Sequence, residues 1–518
     1  MSPSLQPTAR TTVQQPALRA LALACALLSG CAAVGPNFLR PQAPSAQAYI
    51  PGPVGASTAA AAVAGGAAQS FVLGAKPQAA WWTAFNSPEL DALVERALKA
   101  HPSIEAAQAA LRQAQENVAA QRGYFFPVVA ANYSPQRTKI AGNLGGNSPG
   151  VQGNGGVIST TQNTPANLGG TGPFNAPVIY NFHTAQITVG YSPDVFGGVR
   201  RQLEATQAQA DYQRWQLEAT SLTLAANVVA AAVQEALLRQ QIAVAESVIE
   251  SSTQARQILE RQLKAGYASR VDLALQETAL AQTRQALPPL RKQLEQTRNL
   301  LRTLAGGRGD LELPQTFNLD RLDLPRQLPL SLPSDLVRQR PDVLAAEAQL
   351  QAASAQVGIA IANRLPQLSI DASLGGAASR VAEMFWPSGR FFNLVGNLTM
   401  PLFDAGTLKH RQLAAEEGLR QADAQYRATV LGALQNVADA LYAIQYDADA
   451  LAFAVDQERS TRTALDLARR QLDSGYVDRL TLLTAQQSNL QARMTLAQAR
   501  AARLGDTVAL FQALGGSW

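Results

Sequence analysis

The sequence contains two cysteines, three histidines and four methionines in 518 residues. The histidines, His101, His183 and His410, lie on separate segments. That scatter and the shortage of sulfur exclude a resident metal cluster as a first reading. No Walker or H-E-x-x-H pattern occurs, so neither a catalytic site nor a cofactor is expected, and the chain is not read as an enzyme. Charge of one sign is also scarce. Setting aside Arg10 and Arg19 near the start leaves 41 basic against 38 acidic residues, a net of about +3, with no basic run. Nucleic acid is therefore not an expected partner. No apolar stretch of 18 residues is read after Cys31, so no transmembrane helix is expected.

What is present begins at the N-terminus. Arg10 and Arg19 form a basic region, and an apolar stretch closes at Leu28-Ser29-Gly30-Cys31. This resembles a secretory signal ending in a bacterial lipobox, in which the cysteine is acylated and becomes the first residue. A buried core cysteine, or an ordinary signal with an incidental cysteine, are the alternatives. Cys25 leaves with the leader, so the mature chain keeps one thiol. A lone thiol in an oxidising compartment is a liability that acylation removes. Ala32, rather than Asp, follows Cys31, which favours sorting to the outer membrane.

Residues 31–85 are rich in Pro, Ala, Gly and Gln and read as an extended tether or a segment along the outside of the body. Ordered chain is expected from "WWTAFNSPELDALVERAL", where Ser87 N-caps a helix with Pro88 at its first position. Internal repetition then sets the organisation. "RQLKAGYASRVDLALQ" from Arg261 matches "RQLDSGYVDRLTLLTA" from Arg470 at an offset of 209, aligning Gly266 with Gly475 and Tyr267 with Tyr476. "HPSIEAAQAALRQAQENVAAQRGYFFP" matches "RPDVLAAEAQLQAASAQVGIAIANRLP" at an offset of 239. The expected parts are a lipoprotein signal over 1–30, the tether over 31–85, repeat 1 over 86–307, a linker over 308–332 and repeat 2 over 333–516. Each repeat has short helices, two strands, one very long helix (Gly198 to Ala265; Gly406 to Ser474) and a final helix.

The strand segments alternate. Leu368, Ile370, Ala372 and Leu374 oppose Gln367, Ser369, Asp371 and Ser373. Ile187, Val189 and Tyr191 oppose Gln186, Thr188 and Ser192; Leu394, Leu398 and Met400 oppose Asn393, Asn397 and Thr399. Val129, Ala131 and Tyr133 mark the fourth. Such segments fit transmembrane strands with lipid on one side and water on the other. Four strands cannot close a barrel, and an open edge in lipid is not viable. The chain must then oligomerise, as an eight-stranded dimer or a twelve-stranded trimer. Trp386 and the Phe391-Phe392 pair are expected at the membrane interface.

The lipobox followed by "VGPNFLRP", the duplicated order of parts, "GYVDRLTLLTAQQSNLQAR" and the closing "ALGGSW" resemble the TolC-like outer membrane factors, in particular the OprM/NodT branch of efflux lipoproteins. The resemblance covers essentially the whole mature chain. It implies an α+β fold dominated by long helices: a homotrimer with a twelve-stranded barrel, four strands per chain, continued by a helical barrel in the periplasm of a Gram-negative bacterium. It implies a channel that passively conducts drugs or toxic compounds. Its implied partners are a periplasmic adaptor, an inner-membrane pump of the resistance-nodulation-division class, and outer-membrane lipid. A structural or adhesive lipoprotein is the alternative. The resemblance places the turns around Gly266 and Gly475 at the closed end of the tunnel. There Leu480 is the expected apolar constriction and Thr484 the next ring, with Thr481 beside it. Relatives often carry Asp at the position of Thr484, which puts an acidic ring in doubt here and leaves Asp272 as the remaining acid. Tyr267, Tyr476, Arg270 and Arg479 are expected to hold the closed state.

Overall fold

The computed structural model describes residues 33–43, 48–52, 55, 57–140, 151–153, 156–158, 178–308 and 312–516. Cys31 and the leader lie outside these described residues. In chain order the elements are β1 (Ser70–Leu73), a 3-10 turn (Trp81–Phe85), α1 (Pro88–Ala100), α2 (Pro102–Gly123), β2 (Val128–Ile140), β3 (Val151–Gly153), β4 (Gly156–Ile158), β5 (Val178–Tyr191), α3 (Gly198–Lys264) and α4 (Arg270–Leu304). There follow β6 (Gln327–Leu330), α5 (Pro333–Leu336), α6 (Pro341–Ala362), β7 (Gln367–Ala378), β8 (Arg390–Thr399), α7 (Thr407–Asp473) and α8 (Arg479–Leu514). Two compact units result: Met1–Phe38 with Gln115–Ala208 and Gln351–Arg420, and Leu39–Ala114 with Gln209–Leu350 and Gln421–Trp518.

The helices α3 and α7 have 67 residues each, roughly 100 Å at the helical rise. Their expected limits hold to within a residue. Asp194 accepts from the Val199 and Arg200 amides at 2.9 Å each, and Asp404 from the Gly406 and Leu408 amides at 2.9 and 2.8 Å, anchoring the two starts. Gly266 and Gly475 stop them at φ +83° and +76°, a conformation glycine adopts without a Cβ penalty. The expectation about apolar length needs correction. α3 carries an 18-residue stretch apolar enough, by length and composition, to cross a membrane, but 67% of that stretch is buried inside the protein. Its apolarity belongs to a helix core.

In the first unit, β2, β5, β7 and β8 form a four-stranded antiparallel sheet in that order. The strands run 13, 14, 12 and 10 residues, enough to cross a bilayer when tilted. β2 extends past the alternating segment to Ile140, through Pro135, Arg137 and Lys139. Proline is tolerated there because β2 is an edge strand.

In the second unit α8 is central, burying Leu504, Val508, Leu510, Phe511 and Leu514 among others. Each such side chain contributes about 1.5–3 kcal/mol on burial. Trp81 stacks on Phe511 at 5.3 Å between ring centroids. Order begins earlier than Trp81, contrary to the sequence expectation. β1 pairs in parallel with β6 of the linker, Ser70 opposite Gln327, and Ile50, Thr58 and Gln69 are buried. The reason is Arg503 of α8. It is 1% exposed and donates to Thr58 Oγ1 at 3.2 Å, the Ala67 carbonyl at 3.1 Å and Gln69 Oε1 at 3.1 Å.

Candidate functional site

The register of the four-stranded sheet sorts side chains into rows. Val129, Val189, Ala372 and Leu394 lie opposite one another, and so do Ala131, Ile187, Leu374 and Phe392. On the other face the rows are Ala130, Thr188, Ser373 and Asn393, then Asn132, Gln186, Gly375 and Phe391. Polar side chains bond along that second face: Asn132 Nδ2 donates to Thr188 Oγ1 at 3.5 Å, and Asn397 Nδ2 and Ser369 Oγ donate to Asp371 Oδ2 at 3.4 Å each. The first face is apolar and open, with Val129, Ile187, Leu374, Phe392, Leu394 and Leu398 all exposed. Alternation separates Phe391 from Phe392, so only Phe392 stands on the apolar face. Along the chain β2 and β8 are the sheet's two edges.

The two helix turns share a backbone plan. The Gly266 amide donates to the Leu263 carbonyl at 3.0 Å and the Tyr267 amide to Gln262 at 2.8 Å; Gly475 and Tyr476 repeat this toward Leu472 and Gln471 at 3.0 and 2.9 Å. In the first turn Ser269 caps α4, and Asp272 returns a carboxylate to the Ser269 amide and hydroxyl at 3.0 and 2.7 Å. Those bonds, ahead of the nearby Arg479 guanidinium, hold the Asp272 carboxyl below its ordinary value. In the second turn Asp478 caps α8, accepting from the Thr481 amide and hydroxyl at 2.9 and 2.6 Å, and is lowered for that reason.

Leu480, Thr481, Thr484 and Asp478 line one groove with Ser460, Ala464 and Leu467 of α7. Leu480 is exposed, whereas Leu483 one turn away is buried. Of the four residues expected to fasten the turns, Arg479 makes the connection seen within a chain, donating to Gln262 Oε1 at 2.8 Å. Its partner is a neutral amide, so this link is not an ion pair. Tyr267 and Tyr476 are exposed and are not brought together. Asp272, read from sequence as the remaining acid near the tip, bonds to the Ser269 amide and hydroxyl in the cap of α4.

Sequence reasoning missed the buried charges. Glu235, fully buried in α3, accepts from Arg239 and Arg298 at 2.8 Å each and from the Phe317 amide at 3.1 Å, fastening the linker to α3 and α4. Arg201, in the first turn of α3, donates to the Val34 carbonyl at 3.0 Å, the Gly35 carbonyl at 3.2 Å and Asn37 Oδ1 at 2.8 Å. This accounts physically for the "VGPNF" segment: its carbonyls and Asn37 clasp a buried guanidinium. Burial, then hydrogen bonding and repulsion from Asp447, pushes Asp506 of α8 up to about 7. The available sequence signal was a charged residue within an apolar helical stripe. One short motif also escaped notice: Gly146-Asn147-Ser148-Pro149-Gly150 fits G-x-S-x-G. It lies outside the described residues. Among the described residues no three His, Cys, Asp or Glu side chains gather as a metal site.

Comparison with known proteins agrees with this geometry. The family model for outer membrane efflux proteins matches residues 93–307 and 332–516. The pyoverdine export outer membrane protein OpmQ of Pseudomonas putida is 30% identical over 445 residues, covering 86% of this chain and 89% of that one. The cation efflux system protein CusC of Escherichia coli is 29% identical over 332 residues, covering 64% and 72%. Among solved structures, the outer-membrane channel OprN superposes with a TM-score of 0.79 at 27% identity, covering 94% of this chain and all of that one. A duplicated chain with a two-faced sheet, matched twice by one family model, belongs to the outer membrane efflux protein family.

Proposed function

We propose that the chain is the outer-membrane channel of a tripartite efflux system, passing small molecules from a periplasmic adaptor and an inner-membrane pump of the resistance-nodulation-division class to the exterior. The observation that carries this is the sheet: register-aligned apolar and polar rows on strands long enough to span a bilayer, with two edges left for neighbouring chains. An open edge in lipid is forbidden, and three copies give twelve strands. The apolar rows then meet lipid, and Asn132, Thr188, Ser373, Asn393 and Asp371 line the lumen. The helices α3, α4, α7 and α8 form the periplasmic conduit. Residues 1–30 are the signal, Cys31 carries the lipid anchor, and 86–307 and 333–516 are the two repeats joined by 308–332. Leu480 and Thr484 constrict the closed end, with Arg479, Arg270, Tyr267 and Tyr476 around it. The protein's work is conduction, so its residues act by lining, gating and docking. The cargoes named for two relatives, pyoverdine and a cation, are so unlike that selection is assigned to the pump.

Single-channel recording of the purified protein in a planar bilayer tests the reading. Discrete conductance steps are expected from material that crosslinks no further than three chains. A non-conducting protein overturns the channel, and a ladder ending at two chains overturns the trimer. Cys31→Ala should abolish palmitate labelling; unchanged labelling removes the anchor from Cys31.

A further inference from the structure

Above the apolar rows, the same face of the sheet changes character. The next row is Tyr133, Ala185, Gly376 and Arg390, and beyond it come Pro135 with His183, then Arg137, then Lys139. β2 therefore carries two exposed cations in succession on the face that is apolar lower down. Tyr133 and His183 stack with ring centroids 6.2 Å apart, the tyrosine hydroxyl 3.0 Å from His183 Nδ1. The segment between β7 and β8 folds onto this rim. A Cβ at Gly376 would lie 2.1 Å from the Met384 carbonyl oxygen, and Arg390 Nε donates to the Phe385 carbonyl at 2.9 Å. Phe385 and Trp386 stay exposed. The result is a groove walled by Tyr133, Ile187, Leu374 and Phe385 with Arg390 at its head. Over residues 128–140, 178–191 and 367–399 the acids are Asp371, on the opposite face, and Glu383, paired with Arg380 at 3.4 Å. The rim is thus uncompensated positive charge directly above an apolar slot.

We propose that this rim is a binding site for the phosphorylated glycolipid of the outer leaflet, lipid A. Its phosphates bind at Arg137, Lys139 and Arg390, and one acyl chain lies in the groove between Ile187, Leu374 and Phe385. The inference rests on the outer-membrane channel reading, which sets the direction. All four strand ends that continue into helices lie at one end of the sheet, and both hairpin connections lie at the other, beside Arg137, Lys139 and Arg390. With the helices periplasmic, the basic rim stands at the outer leaflet. Arginine suits this role because its fork matches phosphate oxygens two at a time, and the aromatic side chains Tyr133, Phe385 and Trp386 sit at headgroup depth.

The test uses the full-length channel in mild detergent, incubated separately with diphosphorylated lipid A, the same lipid stripped of both phosphates, and phosphatidylglycerol, and read by native mass spectrometry. Diphosphorylated lipid A should be retained at about one molecule per chain, and the stripped lipid should bind about tenfold more weakly, as expected for losing charge-assisted bonds. The double variant Arg137→Gln, Arg390→Gln should show the same loss with diphosphorylated lipid A. Equal retention of the stripped lipid, or of phosphatidylglycerol, overturns the proposal, because the surface would then be ordinary lipid contact. The stripped-lipid arm needs no variant and so survives any folding defect. Conductance of the same preparations separates the two readings. A conducting channel without lipid preference sinks only this site, whereas a silent protein that holds lipid A sinks only the channel.

Discussion

The two helix turns have one backbone and two opposite caps. In the first, the N-cap is the neutral Ser269 and the carboxylate sits three residues later at Asp272; in the second, the carboxylate is the N-cap, Asp478, and the hydroxyl follows at Thr481. The hydroxyl–carboxylate bond survives at 2.7 and 2.6 Å with its ends exchanged. What has been kept across the duplication is a satisfied turn with one negative charge, not a residue at a position. The flanking helices have diverged further. α8 buries fourteen side chains whereas α4 buries four, and α4 carries Pro288 and Pro289 where α8 has Ala497 and Gln498. At the offset of 209, Leu480 corresponds to Val271 and Thr484 to Leu275. The second copy holds the core, and the first presents the more exposed helix.

The largest expected effect separates the copies at the constriction. Leu480→Ser should raise resting conductance several-fold and let large antibiotics leak inward, while Val271→Ser should do so weakly; planar-bilayer recording of both variants checks this. Equal effects would make the turns equivalent at the gate, and two silent substitutions would place the gate elsewhere.

Next come the caps. Ser269→Ala should destabilise the start of α4 by about 1 kcal/mol, and Asp478→Ala should destabilise the start of α8, each read as faster amide exchange over the first turn of the helix. Acid should distinguish them. Both carboxyls titrate below their ordinary value when folded, so their contribution is present above the unfolded pKa, near 3.8, and is lost as pH falls through the lower folded pKa. The second turn then loses the charge of its cap itself, while Ser269 still caps the first. Exchange at α8 should accelerate before that at α4. The reverse order would contradict the exchange of roles.

The smallest effect concerns the links between copies. Arg479 reaches Gln262, and the offset makes Arg270 and Gln471 the equivalent pair. In the proposed trimer of six similar hairpins, that second bond would fall between chains. Arg479→Ser and Arg270→Ser should each loosen the closed end by about 0–1 kcal/mol, the range for exposed polar pairs, seen as small, similar rises in conductance. A rise with Arg479→Ser alone would mean the copies are fastened differently.

Much of this was legible because punctuation is local. Gly266, Gly475, Pro102 and Pro341 state where helices stop and start, and a glycine at φ near +80° needs no distant partner to explain it. Alternation gave the faces of β5, β7 and β8 for the same reason. β2 was read too short because Pro135, Arg137 and Lys139 have poor strand propensity, and pairing with β5 overrides that. The buried charges were illegible for the opposite reason. Arg503 finds Thr58 and Gln69 more than 430 positions away, and no periodicity in either segment announces the other. Of the two readings of 31–85, the ordered stretch near Thr58–Gln69 fits a segment packed on the body rather than a loose tether, since Ala, Gly and Gln look featureless until a guanidinium gathers their carbonyls.

The Arg201 clasp bears on the anchor in a different way. Ala33, Val34 and Gly35 are gripped against the first turn of α3, and the backbone at Gly35 approaches Gly358 so closely that a Cβ would lie 2.5 Å from its Cα. Cys31 is only two peptide steps upstream of Ala33, a reach of at most about 7 Å. On the proposed acylation of Cys31, acyl chains attached there would enter the bilayer at a set depth and a set point around the circumference. The three copies of the proposed trimer would then carry three fixed studs that key the height and rotation of the assembly to the inner leaflet, where a lipid on a long leash would merely tie it to the membrane.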